Sequence, residues 1–504
     1  MTIHLSFLLW LPAAGGLIGA ILGRRGAGWA TLAGSAAALG YAIVAVADFA
    51  PGDGLQYVTD SQWIEQLGTR WKLGVDGLNL FLVLLTTVAF TASILWATLK
   101  GDGAHPPERP AAFFFWLGLA HSAVLGALLA QDLLVFTIFF DLMLVPFLFL
   151  TGMFGGEDRI RSVTRLFIYT LVGSLLMLAA AIAFAVLAAG AEPVSFVFSD
   201  LAERGRISEG SQNWIFLFFA AAFLIKMPAF PLHGWMPAGY LNMPLPVLAV
   251  FSGVLSKVAA YGFLKISLPF FPDASEHFQT LLLLIALASI LYGSAMAFTT
   301  TNVRLVLGYS SIAQLGFIVL GIFSLRSEGA QGALLQSVNH GLVVVPAFFV
   351  VALLAARAQS EDLREMGGGA FRAPVLAALF LIIALATLAM PGSSNFAGEF
   401  LILLGVFQAK QVIAIIAFTG VVLASVYMLR MFIRTMHNRT GATMDPREIT
   451  VRDGLVLVPL VLAVLALSVY PQVALDKSEP AVKSALGEAG GQAVAQEPDG
   501  ETAP

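Results

Sequence analysis

The sequence predicts an all-α polytopic membrane protein of fourteen transmembrane helices, with two inverted five-helix repeats. Of its 504 residues, 58% are hydrophobic and only 12% are charged, and the mean hydropathy is +0.86. Soluble domains carry about 25% charged residues, so this composition excludes a soluble globular protein. Apolar runs of about 20 residues, long enough to cross a bilayer as helices, recur along the chain. Two of these runs are interrupted by proline.

The predicted spans are joined by mostly short polar links. The first is expected to be retained and not cleaved as a signal peptide, because Arg24 and Arg25 follow the apolar run and no basic region precedes it. The longest links are 50–75 and 190–212. The spans in order are 3–23, 29–49, 76–99, 112–131, 133–153, 164–189, 213–236, 247–268, 278–299, 303–324, 330–355, 374–408, 411–436 and 453–474.

The two proline interruptions suggest an internal symmetry. The seventh span has Pro228 and Pro231 just after Lys226, and the twelfth contains MPGSSNFAGEF with Pro391. Such breaks are tolerated where they line a polar cavity. Because the breaks are five spans apart, their helices cross in opposite directions, which is typical of inverted repeats. The expected units are 1–111 (spans 1–3), 112–268 (first repeat, spans 4–8), 278–436 (second repeat, spans 9–13), 437–475 (span 14) and 476–504 (a disordered tail rich in Ala, Gly, Glu and Pro).

Charge and cysteine content limit the function classes. Most lysines and arginines fall in loops after odd-numbered spans, so the positive-inside rule places those loops in the cytoplasm and both termini outside. The net charge of −4 gives no reason to expect a nucleic acid partner. The absence of cysteine excludes disulfides, thiolate-ligated iron–sulfur clusters and cysteine nucleophiles in this chain.

Four ionisable residues fall deep inside predicted spans: Asp141, Lys226, Lys257 and Glu399. A charge at the bilayer centre costs roughly 2.5–3.5 kcal/mol on insertion scales, so such residues usually mark ion pathways. Two acids and two bases balance in charge, and Asp141 precedes helix-weakening Pro146. We expect an Asp141–Lys226 pair that loads a proton when closed and releases it when open. The alternative is a set of inert salt bridges, although buried ion pairs stabilise weakly.

Three histidines lie within predicted spans. His340, in LLQSVNHGLVVV, is favoured as a proton relay, because imidazole titrates near physiological pH. For His233, at the first break, a relay and a structural role remain equally open. A structural role is favoured for His121. Gln314, in GYSSIAQLGF, could hold water in the same path but cannot titrate.

Several motifs resemble the antiporter-like membrane subunits of respiratory complex I, over spans 3 to 14. They are LGVDGLN (73–79), GGEDRIRSVTRLFIYTLVGSLLML (155–178), KMPAFPLHGWMP (226–237), SGVLSKVAAYGFLKI (252–266), GYSSIAQLGF (308–317) and MPGSSNFAGEFLILLGVF (390–407).

The resemblance implies a role for each candidate residue. Lys226 would be the central pumping lysine with Asp141 as its carboxylate partner, Lys257 the second lysine of the axis, His340 a relay, and Glu399 the group near the outward exit. Asp141 stands where glutamate is usual, and Gln314 where histidine is common. Glutamate at position 399 favours one type of these subunits over the L and N types and over the related Mrp antiporter subunit, which usually have lysine there.

The expected function is that of a proton-translocating membrane-arm subunit of NADH:quinone oxidoreductase in the bacterial cytoplasmic (inner) membrane. The chain would be part of an enzyme through its complex, with NADH, FMN, iron–sulfur clusters and quinone in partner subunits and no cofactor or metal of its own. Partners would be L- and N-type subunits and lipid. The alternatives are an Mrp-type cation/proton antiporter subunit, a membrane-bound hydrogenase subunit, and, from another class, a haem-bearing electron carrier using His121, His233 or His340.

Overall fold

The computed structural model is a bundle of helices with one short β-hairpin. It describes residues 4–52, 54–100, 108–204, 207–437, 445 and 447–487. The helices are α1 (Leu5–Asp48), α2 (Leu80–Leu99), α3 (Pro110–Leu129), α4 (Leu133–Leu142), α5 (Leu144–Phe154), α6 (Arg159–Ala189), α7 (Phe198–Glu203), α8 (Glu209–Lys226), α9 (Met236–Asn242), α10 (Leu245–Val250), α11 (Ser256–Gly262), α12 (Leu268–Phe270), α13 (Pro272–His277), α14 (Gln279–Thr299), α15 (Val303–Ile322), α16 (Ser327–Ala358), α17 (Gly369–Arg372), α18 (Pro374–Thr387), α19 (Ser394–Ala409), α20 (Gln411–Met436), α21 (Val451–Val469) and α22 (Gln472–Leu486). The strands are β1 (Gln56–Ile64) and β2 (Thr69–Val75), with a 3₁₀ turn at Glu65–Leu67 and π-helical turns at Phe251–Leu255 and Phe263–Ser267.

Most of the described helices are long and apolar enough to cross a membrane. Eleven meet both criteria within the described residues, counting α4 with α5 and α10 through α12 as single spans. The helices α18 and α19 are apolar but shorter. Helix α1 is interrupted at Gly23, whose φ of +70° lies in the left-handed region that favours glycine. The chain is therefore a polytopic, mostly helical membrane protein, as predicted.

The β-hairpin departs from the all-α prediction. Its strands pair antiparallel, with Thr59 opposite Leu73 and Ser61 opposite Trp71, in the segment expected to be a simple link. The turn contains Gly68 at φ +67°, where an added Cβ would collide with the carbonyl oxygen of Val194. The sequence pattern missed this hairpin because a short amphipathic strand pair carries little signal beside strong apolar runs.

The C-terminal segment also departs from prediction. Residues 476–487 were expected to be disordered, but α22 continues through Leu486. The ammonium of Lys477 donates hydrogen bonds to the carbonyl oxygens of Val46 (2.7 Å) and Phe49 (3.0 Å) at the end of α1. A lysine that satisfies free carbonyls at a helix C-terminus stabilises both partners. The rest of the predicted tail, 488–504, lies outside the described residues.

Both predicted helix breaks are present. Helix α8 ends at Lys226, and the chain is non-helical until α9 begins at Met236. Helix α18 ends at Thr387, and α19 begins at Ser394. The first break contains Pro228 and Pro231, which cannot donate to the helical hydrogen-bond ladder, and the second contains Pro391 followed by Gly392 at φ +90°.

Among the described helices, α16 is the longest that is mostly buried. It runs from Ser327 to Ala358 and is buried along most of its length. Its mid-helix polar side chains Gln336, Ser337, Asn339 and His340 are each 2% exposed or less. Polar groups enclosed in this way need partners inside the protein, so α16 organises the site.

A close backbone contact sets the distance between α16 and the π-helical turn before α11. A Cβ added at Gly341 would lie 2.6 Å from the carbonyl oxygen of Gly253 and 2.5 Å from a methyl carbon of Leu85. The two glycines therefore let α16 and the turn touch through their backbones. This contact brings Lys257, one turn after Gly253, close to His340.

Substitution Gly341→Ala is predicted to destabilise the fold by roughly 1–3 kcal/mol, because the methyl group overpacks against backbone that cannot move away. Thermal unfolding in detergent measures the change. The matched control is Gly40→Ala, an exposed helical position with nothing within 4 Å of an added Cβ. Equal unfolding midpoints for both variants would contradict the close-packing argument.

Asp132 caps the start of α4 in the turn between two spans. Its Oδ1 accepts the N–H groups of Leu134 (3.0 Å) and Val135 (3.1 Å), and its Oδ2 accepts that of Arg70 (3.0 Å). Burial nevertheless raises the pKa of Asp132 to about 6, because desolvation outweighs these bonds. Since the folded pKa lies above the unfolded one, the contribution of Asp132 to stability is complete below about pH 4 and is lost as the pH rises through 6.

Substitution Asp132→Asn is therefore predicted to flatten the pH dependence of stability. Asparagine keeps an N-cap oxygen but does not ionise. The difference in unfolding free energy between wild type and variant should change by up to about 3 kcal/mol between pH 4 and pH 8, with the wild type favoured on the acid side. Unfolding midpoints measured across that range test this, and parallel profiles would show that Asp132 titrates normally.

Candidate functional site

A line of buried polar side chains connects the two helix breaks. Its members lie on α4, α8, α11, α16 and α19. The members most deeply enclosed are Lys226 (6% exposed), Lys257 (1%), His340 (2%) and Glu399 (2%). Groups that prefer to be charged are costly at such depth, so their partners decide what they can do.

Lys226 is the last residue of α8, at the edge of the first break. Its ammonium donates a hydrogen bond of 2.7 Å to the carbonyl oxygen of Phe140 and lies 4.0 Å from the centre of the same phenyl ring. Phe140 precedes a bend at Met143, where α4 gives way to α5 ahead of Pro146. The lysine thus satisfies its charge on backbone oxygen and ring face.

Asp141 is bound to a residue that the sequence analysis did not name. The hydroxyl of Ser174, on α6, donates to Oδ1 of Asp141 at 2.5 Å. The charges of Asp141 and Lys226 interact, but no ion pair of 4.0 Å or less joins these two described residues. The predicted pair is therefore in an open arrangement, with each member held by another group. A serine in the middle of an apolar span was the available signal for Ser174.

Lys257 lies at the start of α11, just after the π-helical turn Phe251–Leu255. Its ammonium donates to the carbonyl oxygen of Ser252 (2.8 Å) and to the hydroxyl of Ser256 (3.2 Å). A π-helical turn changes the register of backbone hydrogen bonding and is frequent at functional sites. It provides Lys257 with an acceptor on its own helix, and among the described residues no carboxylate forms an ion pair with this buried lysine.

His340 is on α16 and lies close enough to Lys257, on α11, for their charges to interact. Its Nδ1 has no hydrogen-bond partner among the described protein atoms. The neighbouring amide of Asn339 donates to the carbonyl oxygen of Ser394 at 2.6 Å. That bond fixes α16 to the start of α19, so the histidine is held beside the second break.

Glu399 is reached through two glutamines. The amide of Gln336 donates to Oε1 of Gln314 (2.7 Å) and to Oε1 of Glu399 (3.3 Å). Gln314 therefore joins the site through Gln336, which the sequence analysis did not name. Its position four residues before His340, on the same face of α16, was a usable signal.

The other two histidines lie apart from this line. His233 is enclosed by the rings of Phe230 (5.7 Å between centres) and Tyr292 (4.7 Å). His121 contacts the hydroxyl of Ser35 at 3.2 Å and stacks on Phe90 at 4.7 Å. Its bonding and stacking account for His121 as a structural residue.

Within the described residues, no group of three or more His, Cys, Asp or Glu side chains is placed to hold a metal ion. The line instead contains amines, carboxylates, an imidazole and amides. The first three types accept and release protons, and amides hold them in position. The chemistry available to such a set is proton transfer along the line.

A family model described as NADH:quinone oxidoreductase/Mrp antiporter, TM, matches residues 130–424, more than half of the chain. The chain belongs to this family. The antiporter-like identity predicted from the motifs is confirmed.

Relatives and solved structures agree with the family model. The chain is 32% identical over 495 residues to NADH-quinone oxidoreductase subunit M of Rhodobacter capsulatus, covering 95% of both chains. Subunit M is the type of antiporter-like subunit that glutamate at position 399 favours over the L and N types. The fold matches a chain of respiratory complex I from Thermus thermophilus, with a TM-score of 0.88 and 29% identity, covering 97% of this chain and 100% of that one.

A chain of the Mrp complex from Dietzia matches with a TM-score of 0.84, covering 98% of this chain and 100% of that one, at 20% identity. At that identity the likeness shows a shared fold and nothing about the transported ion.

Substitution Ser174→Ala is predicted to release Asp141 and let it approach Lys226. A hydrogen bond to a charged group contributes about 1.5–3 kcal/mol, so its loss moves the balance between open and closed pairs tenfold or more. Infrared difference spectra should show a shifted Asp141 carboxyl band. The control is Ser425→Ala, whose hydroxyl bonds the Val421 carbonyl of its own helix. An unchanged band in Ser174→Ala would show that Ser174 does not hold the carboxyl group.

Proposed function

We propose that this chain translocates protons as a membrane-arm subunit of NADH:quinone oxidoreductase, driven by electron transfer in other subunits. The observation that carries the proposal is the buried line from Asp141 to Glu399, built from groups that can exchange protons. The family membership and the likeness to subunit M support it. NADH, FMN, iron–sulfur clusters and quinone belong to the partner subunits.

The architecture supports a count of fourteen crossings. Dividing α1 at Gly23 gives two, and each interrupted pair, α8 with α9 and α18 with α19, gives one. The other crossings are α2, α3, α4–α5, α6, α10–α12, α14, α15, α16, α20 and α21. On this count the first repeat comprises spans 4–8 and the second spans 9–13. The loop charges favour a cytoplasmic bacterial membrane with both termini outside.

In the proposed mechanism the open pair is one of two states. Lys226 bonds the Phe140 carbonyl while Asp141 bonds Ser174. Closing the pair favours the protonated lysine, and reopening it sends the proton toward Lys257. Moving one charge against 100 mV costs about 2.3 kcal/mol, which a change of about two units in proton affinity supplies.

The second half of the path runs from Lys257 through His340 to Glu399. His340 faces Lys257, and the glutamine pair Gln314–Gln336 orients the carboxylate of Glu399. Neighbouring L- and N-type subunits would continue the membrane arm on either side. His233 takes no step in this mechanism.

Substitution Lys226→Arg is predicted to lower the number of protons pumped per electron. Arginine keeps the positive charge but does not release its proton, so the switch stays loaded. Lys226→Ala should lower the ratio as well, because nothing then carries the proton. The measurement is proton uptake against quinone reduction in vesicles with the whole complex, and Lys410→Arg, an exposed position, is the control.

Full pumping ratios in both Lys226 variants would refute the proposal. The composition of the purified complex tests the alternative assembly. Flavin and iron–sulfur subunits that co-purify with this chain support the oxidoreductase, whereas their absence from an intact assembly supports an Mrp-type antiporter.

A further inference from the structure

A largely buried ion pair lies outside the line described above. The ammonium of Lys265 is 2.6 Å from Oδ2 of Asp76, and their side chains are only 18% and 11% exposed. The Oδ1 of Asp76 accepts the backbone N–H groups of Leu78 (2.9 Å) and Asn79 (3.1 Å). The turn between β2 and α2 thus fixes the carboxylate through Oδ1, and Oδ2 accepts the hydrogen bond from Lys265.

The pair borders a cavity of about 460 Å³. Its walls come from the hairpin, α7, α12 and α22, so it lies on the membrane face that carries the hairpin. Besides Asp76 and Lys265, its polar lining includes Gln131, Lys72 and Lys477. A cavity of this volume accommodates several water molecules beside charged groups.

Tyr261 lies between Lys257 and Lys265 in the sequence. It is four residues after Lys257, on the same face of α11, and Lys265 follows in the next π-helical turn. Its hydroxyl is buried near the amides of Asn79 and Gln131, within the influence of the Asp76 charge. No hydrogen bond of normal geometry occupies that hydroxyl among the described residues.

We propose that Lys257, Tyr261 and the Asp76–Lys265 pair form a proton outlet to the hairpin-face cavity. This inference rests on the proposed function. It adds a branch at Lys257 that leads away from His340 and Glu399. The transferred species is a proton, and the acceptor is water in the cavity.

The steps balance without an oxidant or reductant. Lys257 leaves the Ser252 carbonyl and gives a proton to the Tyr261 oxygen as the phenol's own proton passes to the Asp76 carboxylate, directly or through water. Lys257 becomes neutral, the phenol stays neutral and Asp76 becomes a carboxylic acid. Asp76 then releases the proton to cavity water, and the Lys265 ammonium restores the ion pair.

The test is the pumping ratio of the assembled complex in vesicles carrying Tyr261→Phe. This substitution removes the hydroxyl and keeps the ring that packs 6.4 Å from Phe136. The ratio of protons to electrons is expected to fall. Asp76→Asn should lower it too, whereas Asp76→Glu, which keeps the carboxylate, should restore it. The control is Tyr41→Phe on α1.

A substitution that narrows the cavity tests the outlet without changing any of the groups that would carry the proton. Ala202 lines the cavity from α7. Ala202→Phe fills that space without altering Tyr261, Asp76 or Lys265, and it is expected to lower the ratio. This variant keeps the proposal testable if the Asp76 variants assemble poorly.

The outcomes separate this outlet from the proposed function. A full ratio in Tyr261→Phe and Ala202→Phe, together with a reduced ratio in Lys226→Arg, overturns the outlet and leaves the function standing. Full ratios in Lys226→Arg and Lys226→Ala, whatever the two outlet variants show, overturn the function itself. Fewer assembled complexes with an unchanged ratio per electron would show that the Asp76–Lys265 pair only holds the fold together, which also overturns the outlet.

Discussion

The hydrogen bond from Lys226 to the Phe140 carbonyl is the interaction on which the first half of the site depends. An ammonium inside the bundle must have an acceptor, because leaving it unpaired costs several kcal/mol. The bend of α4 near Met143 presents that oxygen at the point where α8 ends. The next residue, Asp141, offers a carboxylate on the same turn. Two acceptors therefore lie on neighbouring residues, a carbonyl oxygen that bonds the lysine and a carboxylate that is held by Ser174.

The central helix α16 extends this constraint across the molecule. Its buried surface carries Gln336 and Asn339, which bond groups at and after the second break, and His340, which approaches Lys257. The glycine contact between Gly341 and Gly253 brings α16 and the π-helical turn together. The spacing between the backbone segments that carry Lys257 and His340 is therefore set by this glycine packing.

Much of this arrangement could be predicted from residue patterns. Apolar length predicts spans, and prolines beside polar residues predict the two breaks, because both signals are local in the sequence. The partners of the buried charges were harder to predict. Ser174, the Phe140 carbonyl and Gln336 act through contacts between distant helices, and one serine among apolar residues does not identify its partner.

The remaining differences have similar causes. The hairpin and α22 are held by contacts with distant segments, including the Lys477 bonds to α1, so their composition alone suggested a link and a disordered tail. The π-helical turn Phe251–Leu255 packs against α16, a distant segment of the chain. The replacement of glutamate by Asp141 was visible in the sequence, but its consequence, a carboxylate bound to Ser174 and apart from Lys226, required the positions of three helices.

The bonds from Lys477 to the carbonyl oxygens of Val46 and Phe49 join α22 to the end of α1. They tie the last described helix to the end of the first, while α22 also forms one wall of the hairpin-face cavity. Helix α1 is largely exposed along one side. Because the Lys477 bonds join α1 to α22, the position of one cavity wall is linked to the position of the first helix.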